Sequence, residues 1–251
     1  MWNRLVLAAL SFALAVPALA EEKPYRISLI GDGFDGTAWH TGVLIELAPG
    51  WKTYWRMPGD SGIPPEFTWA PSRPATVEVA FPTPSRHVDK SGEAVGYESE
   101  VLFPVTVTPE KPAPLDLRLD LFFAVCKDVC IPAQAQAAIS LGMDGRDPLG
   151  SLRVETARAS VPAAGDAVTG AEIVSVEGRP VLKLALKEGP EDIFVESPTS
   201  AYFRAPVLSA GGREARIAID SLSDLRKLKG QKITLTYVIG GKGYEQTLTL
   251  P

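Results

Sequence analysis

Hydrophobic and polar positions alternate with a period of two along much of the chain, most clearly in Leu115-Asp116-Leu117-Arg118-Leu119-Asp120-Leu121. Successive side chains of a strand point to opposite faces. Leucines on one side and charges on the other therefore predict a half-buried antiparallel strand with one solvated face. Similar patterns predict strands at Ile27 to Ile30, Trp39 to Leu47, Thr76 to Phe81, Val101 to Val107 and Leu115 to Val125, with Gln134 to Leu141 as a returning strand. Pro104 cannot donate to a ladder, so Val101 to Thr108 is expected at a sheet edge or at a bulge. Turn residues punctuate the pattern at Pro49-Gly50, Pro58-Gly59-Asp60-Ser61-Gly62, Pro64-Pro65 and Ser91-Gly92. Short strands broken this often predict an all-β chain built on an antiparallel sandwich.

The pattern changes between Met143 and Pro162. Asp147-Pro148-Leu149 can open a short helix through Leu152, Val154 and Ala157, and Val161-Pro162-Ala163-Ala164-Gly165 reads as a linker. Strands resume at Ala171 to Val176, Val181 to Leu186, Asp192 to Glu196, Ala215 to Ile219, Lys232 to Ile239 and Tyr244 to Leu250, with Ser221 to Leu228 as a short helical turn. The expected organisation is a first domain over 21–145, a linker with a short helix over 146–164, and a second, smaller β-sandwich over 165–251. The second half carries no cysteine and no histidine.

Composition narrows the compartment and the partners. Residues 1–20 have the form of a cleaved secretory signal: Arg4 as the positive region, Leu5 to Val16 as the apolar run, and Ala18-Leu19-Ala20 before Glu21. That run is shorter than the ~20 residues of a membrane-spanning helix, so the mature chain is expected in the periplasm with no membrane insertion. A net charge of −5 with no basic block argues against nucleic acid or an anionic membrane surface as a partner. With 45% hydrophobic residues the chain can bury a core, so disorder is not expected.

The candidate chemistry lies in Ala124-Val125-Cys126-Lys127-Asp128-Val129-Cys130-Ile131-Pro132, which holds both cysteines of the chain. Three readings stand. As a structural staple the spacing is inefficient: closing about five residues stabilises by ~2 kcal/mol, against ~4.5 kcal/mol for a bridge spanning ~75 residues. As a redox pair, cysteines flanking a three-residue hairpin loop would face each other within the ~4.4–6.8 Å a disulfide requires, at a loop tip open to another protein's thiolate. There is no C-x-x-C, so a thioredoxin-type active site is excluded. As a metal device, two thiolates suit Cu(I), with His40 and His87 as the available nitrogens. Copper centres of the cytochrome-oxidase type place a histidine about four residues after the second cysteine, where this chain has Gln134.

Three blocks carry a resemblance. Gly50-Trp51-Lys52-Thr53-Tyr54-Trp55-Arg56-Met57-Pro58-Gly59-Asp60-Ser61-Gly62-Ile63-Pro64-Pro65, then Gly96-Tyr97-Glu98-Ser99-Glu100-Val101-Leu102-Phe103-Pro104-Val105, then Cys126-Lys127-Asp128-Val129-Cys130-Ile131-Pro132, resemble the N-terminal periplasmic domain of DsbD-type thiol:disulfide interchange proteins. The ScsB-like branch, which shares the C-x-x-x-C spacing, is the nearer likeness. The resemblance implies an immunoglobulin-like sandwich in which Cys126 and Cys130 relay electrons without a further cofactor. It implies that Cys130 forms the mixed disulfide with a partner and that Cys126 resolves it. The implied partners are thioredoxin-like periplasmic proteins. The chain shows neither the family's transmembrane core nor its thioredoxin-like domain, so a separate membrane protein is expected as electron donor.

Better-known members of that family cover the pair with an aromatic residue on a cap loop. The corresponding stretch here, Val88-Asp89-Lys90-Ser91-Gly92, has none. Tyr97 or another ring is then expected to cover the sulfurs, unless they are less shielded. Tyr54, Trp55 and Tyr97 are the candidate site-shaping aromatics; Trp51, Tyr54 and Trp55 can equally fill the mouth of the core. Arg56 and Asp60 carry opposite charges and can pair to pin their loop, an exposed pair contributing ~0–1 kcal/mol. Three functions follow from different classes: disulfide exchange, copper binding or delivery, and an adhesion or scaffold domain with an inert bridge.

Overall fold

A computed structural model describes residues 23–251 apart from 61, 90–91, 145–146 and 221–224. The expected signal segment lies outside the described residues. The first half runs through β1 (Tyr25–Phe34), β2 (Trp39–Leu47), β3 (Lys52–Gly59), β4 (Glu66–Pro71), β5 (Ala75–Val79), β6 (Ser85–Asp89), β7 (Gly92–Glu98), β8 (Glu100–Pro109), β9 (Leu115–Cys126) and β10 (Cys130–Leu141). One sheet has the order β1-β2-β8-β5, and the facing sheet β10-β9-β3-β7-β6 with β4 also paired to β9. Trp39, Val43, Ile45, Phe103 and Val105 from the first sheet meet Trp55, Leu117, Leu119, Leu121, Phe123 and Val125 from the second in one buried core. This is an antiparallel immunoglobulin-like sandwich, as the alternation along the chain implies. Along β9 the leucines are buried and Asp116, Arg118 and Asp120 exposed.

A helix, α1 (Pro148–Ala159), follows. Asp147 caps it by accepting from the Leu149 N–H at 3.1 Å, and Pro148 occupies the first turn, where its missing donor costs nothing. Its buried Val154 and Ala157 pack on Leu44 and Leu102, on the outer face of the first sheet. The chain then forms β11 (Ala163–Ala164), β12 (Val168–Val176), β13 (Arg179–Leu186), β14 (Asp192–Glu196), β15 (Tyr202–Phe203), β16 (Val207–Leu208), β17 (Glu214–Asp220), a 3-10 turn at Leu225–Lys227, β18 (Lys232–Ile239) and β19 (Lys242–Thr249). Sheets ordered β11-β19-β18-β14 and β12-β13-β17-β15, the latter with β16 on β17, enclose Leu182, Leu184, Ile193, Ile217, Ile233 and Leu235. A second, smaller sandwich therefore follows the first. Of the helical turn expected over Ser221 to Leu228, residues 221–224 lie outside the described residues.

Two expectations are corrected. β8 is neither an edge strand nor bulged: it lies between β2 and β5, in unbroken register with both. Proline is tolerated because the N and C=O of one strand residue point the same way. The Pro104 carbonyl accepts from Ala80 N at 2.8 Å, on the side where pairing with β5 has just ended at Val79↔Val105, so no donor is missed. Arg56 and Asp60 do not pair with each other. Both face the second sandwich, where fully formed partners await them. Arg56 binds Glu196 through Nε and Nη2, at 2.9 and 2.7 Å, and also Glu245, while Asp60 accepts from Arg204 at 2.7 Å.

These contacts belong to a larger interface. Arg86 on β6 forks onto Asp192, with Nε–Oδ2 at 2.9 Å and Nη2–Oδ1 at 3.0 Å, donates to the Ile193 carbonyl, and contacts Glu93. Burial alone would lower the Arg86 guanidinium, but the bonds and charges of Asp192 and Glu93 outweigh it and hold it above its ordinary value. Phe194 of β14 enters the core of the first sandwich, its ring 5.7 Å from that of Trp55 and beneath the Arg86 guanidinium. The two sandwiches thus share a buried aromatic and a set of forked arginine–carboxylate pairs.

Truncating that aromatic tests the joint. Phe194→Ala is expected to destabilise by about 3–5 kcal/mol and to split denaturant unfolding into two transitions. An unchanged single transition would show that the ring does not join the units.

Candidate functional site

The β9–β10 hairpin builds the site. Its register places Cys130 opposite Cys126, leaving Lys127, Asp128 and Val129 as the loop. The two Cα atoms are 4.0 Å apart and the sulfurs are bonded. β10 is the outermost strand of its sheet and pairs with β9 alone among the described residues, while β1 of the facing sheet approaches it farther along, where the Tyr25 hydroxyl donates to the Gln134 carbonyl at 3.4 Å. On the other side β9 is steadied by β3, through the pairs Lys52↔Cys126 and Thr53↔Val125, and by the Thr53 hydroxyl donating to the Ala124 carbonyl at 2.9 Å. The Lys127 ammonium reaches back to the Pro49 carbonyl at 3.4 Å and ties the loop to the β2–β3 turn.

Alternation decides which side chains reach the sulfurs. On β9, Phe123 and Val125 face the core, so Ala124 and Cys126 face outward. On β3, Trp55 faces the core and Tyr54 faces outward, into one buried cluster with Ala124 and Cys126. The Tyr54 hydroxyl donates to the Cys130 sulfur at 3.1 Å, since a bridged sulfur has no proton to give. Ile63 and Ala94 pack on the same cluster. Gly62 permits this arrangement: a Cβ there would lie 2.5 Å from Tyr54 Cδ1 and 2.4 Å from Pro58 Cβ, so the Tyr54 ring rests on bare backbone. Gly96, opposite Tyr54 on β7, is held to glycine in the same way, with its missing Cβ only 1.9 Å from the Thr53 carbonyl oxygen.

The two sulfur-bearing residues are unequal. Cys126 is 7% exposed, beneath Tyr54 and its neighbours. Cys130 is an exposed residue and is flanked by Val129 and Ile131, 69% and 44% exposed, which form an apolar rim. A nucleophile arriving from solvent meets Cys130 first.

Of the aromatics singled out in the sequence, the structure brings Tyr54 to the disulfide. Trp55 lies in the core against Phe194, and Tyr97 packs edge-on against Phe103 with its hydroxyl donating to the Pro82 carbonyl at 2.8 Å. Burial pushes the Tyr97 phenol well above its ordinary range. His40 is held between Asp35, at 2.8 Å, and Arg158, at 2.6 Å, while His87 faces Glu98 at 3.1 Å. Among the described residues no group of three or more histidine, cysteine or carboxylate side chains is placed to hold a metal. Gly62, Ile63 and Ala94 were not picked out from the sequence. Gly62 and Ile63 lie inside the first of the three blocks that carry the resemblance, and Gly62 also closes one of the turn runs read from the sequence.

Known proteins agree with this architecture. A family model described as "Thiol:disulfide interchange protein DsbD, N-terminal" matches residues 16–141. The solved N-terminal periplasmic domain of ScsB from Proteus mirabilis superposes with a TM-score of 0.70 at 22% identity, over 88% of this chain and 91% of that one, a likeness of fold. No curated protein matches the chain. Among the described residues no helix is long and apolar enough to cross a membrane.

The Tyr54 contact generates a measurable expectation. Once the bridge opens, the same hydroxyl can donate to a Cys130 thiolate, and a hydrogen bond to a charged group contributes about 1.5–3 kcal/mol. Tyr54→Phe should therefore reduce the thiolate fraction at Cys130, offset in part by the higher intrinsic nucleophilicity of the less stabilised thiolate. Alkylation of reduced Cys130 by iodoacetamide at neutral pH is expected to slow by about threefold or more. Equal rates in both proteins would mean that the hydroxyl does not act on the sulfur.

Proposed function

We propose, for a chain that belongs to the family of the N-terminal domain of the thiol:disulfide interchange protein DsbD, that it relays electrons in the periplasm from a membrane-bound donor to thioredoxin-like partners. The observation that carries this reading is the asymmetry of the pair: an exposed Cys130 on an open strand edge, bonded to a covered Cys126.

The chemistry follows from that asymmetry. A donor thiolate attacks the Cys130 sulfur, the Cys126–Cys130 bond breaks, and Cys126 leaves as a thiolate. The donor's second thiolate then attacks its own half of the mixed disulfide and releases Cys130. The donor is oxidised by two electrons and the pair reduced by two, with protons taken from solvent. In the forward transfer Cys130 attacks the partner's disulfide. Cys126, held beside it by the hairpin register, displaces the partner as a dithiol and closes the bridge again. The exposed sulfur makes the intermolecular bond and the covered one ends it.

A purely structural bridge would resist reduction, with a potential below about −300 mV; a relay requires a higher value, measurable by equilibration against glutathione or dithiothreitol. Cys126→Ser is expected to accumulate a mixed disulfide with a thioredoxin-like periplasmic protein, reversible by dithiothreitol, and Cys130→Ser to form none. If the two variants trap partner equally, the assignment of roles fails. If neither exchanges with any thioredoxin-like protein and the reduced chain instead binds Cu(I) one to one, the copper reading replaces it.

A further inference from the structure

We propose that the second sandwich positions the disulfide site of the first, through Arg204 and Tyr202, by holding the two segments that seat Tyr54 over Cys126. The inference rests on the exchange reading for its purpose and on the following contacts for its content.

Among the described residues, the ion pairs between the sandwiches fall on Arg56, Asp60 and Arg86 of the first. Arg56 is two positions beyond Tyr54 on β3, and Asp60 two positions before Gly62, whose backbone carries the Tyr54 ring. Arg204 Nη1 donates to Asp60 Oδ2 at 2.7 Å, and the Glu93 N–H approaches the same oxygen at 3.3 Å. Asp60 N in turn donates to the Glu93 carbonyl at 3.0 Å. The Glu93 carboxylate accepts from the Tyr202 hydroxyl at 2.8 Å and contacts Arg86. Ala94, next in the chain, packs on the cluster of Tyr54, Ala124 and Cys126. A short path thus runs from Arg204 and Tyr202 through Asp60 and Glu93 to the residues beneath and beside Tyr54.

The first sandwich anchors Glu93 through Arg86 and the β6–β7 ladder, and the second adds Arg204 on Asp60 and Tyr202 on Glu93. Pairing between β3 and β7 shifts register between Tyr54 and Gly59 and resumes at Gly59↔Ala94, so the ladder is interrupted just beyond Tyr54. The strongest polar ties of Asp60 and Glu93 beyond their mutual backbone bonds go to Arg204, Tyr202 and Arg86. The Arg86–Glu93 pair is about nine-tenths buried on both sides, so breaking it would leave an uncompensated charge and threaten the fold. The Arg204 side chain is 41% exposed and keeps Asp220 as a second partner, so it can be altered without that penalty.

The readout is which sulfur an external thiol reaches. Glutathione thiolate attacks either sulfur, expelling the other as a thiolate, and alkylation followed by peptide mass spectrometry locates the adduct. With the cover in place, glutathione should be found on Cys130. In Arg204→Ala and in Tyr202→Phe the share on Cys126 is expected to rise by about fivefold, the ratio equivalent to losing an exchangeable polar pair of ~1 kcal/mol, with Arg204→Lys intermediate. Lys187→Ala breaks the Lys187–Asp166 pair within the second sandwich, away from the site, and should leave the partition unchanged. An unchanged partition in both Arg204→Ala and Tyr202→Phe overturns the proposal, as does an equal rise in Lys187→Ala. Because glutathione stands in for any partner, these outcomes are independent of whether the cysteine variants trap a thioredoxin-like protein.

Discussion

The site depends on the register of one hairpin. Pairing of β9 with β10 from Cys130↔Cys126 to Leu141↔Leu115 sets both sulfurs opposite each other and on the outward face of the sheet. A slip of one residue would send every β9 side chain to the other face, driving Asp116, Arg118 and Asp120 into the core. The leucine alternation that buries the sandwich core is thus the same device that directs Cys126 outward, toward Tyr54. Core packing and site geometry are two consequences of a single period-two pattern.

Position within the sheet supplies the remaining asymmetry. Cys126 stands on a strand flanked on both sides, by β10 and by β3, and is roofed by Tyr54. Cys130 opens a strand with a neighbour on one side only. Exchange requires collinear attack on a reachable sulfur, so under the proposed relay an edge strand, elsewhere a liability for aggregation, would be the entry point. The second sandwich works on the roof rather than on the edge: among the described residues its ion pairs reach Arg56 on β3, Asp60 just after it and Arg86 on β6.

The sequence carried the hairpin, its three-residue loop and most strands, because those rest on local alternation and turn residues. It did not show β3 as a strand. Lys52–Gly59 is covered on both faces, with Thr53, Tyr54 and Trp55 buried in succession, and a segment buried on both faces has no alternation to read. For the same reason the aromatics could not be sorted. Only with β3 extended do Tyr54 and Trp55 fall on opposite faces, and only the register Thr53↔Tyr97 assigns Tyr97 to the core side. The partners of Arg56 and Asp60 were illegible for a different reason. They lie more than a hundred residues away, while the nearest opposite charge in sequence was each other. Local complementarity cannot rank such candidates; tertiary placement does.

A pair meant to open and close must do so without unfolding its host. Closing so short a loop contributes only ~2 kcal/mol, and the hairpin it closes is held along its full length by the β9–β10 ladder and by the buried leucine row. Breaking the bridge therefore removes a small fraction of what keeps β9 in place. The spacing that makes Cys126 and Cys130 a poor staple suits a bridge that opens and closes, because the ladder and the leucine row that hold β9 do not depend on it.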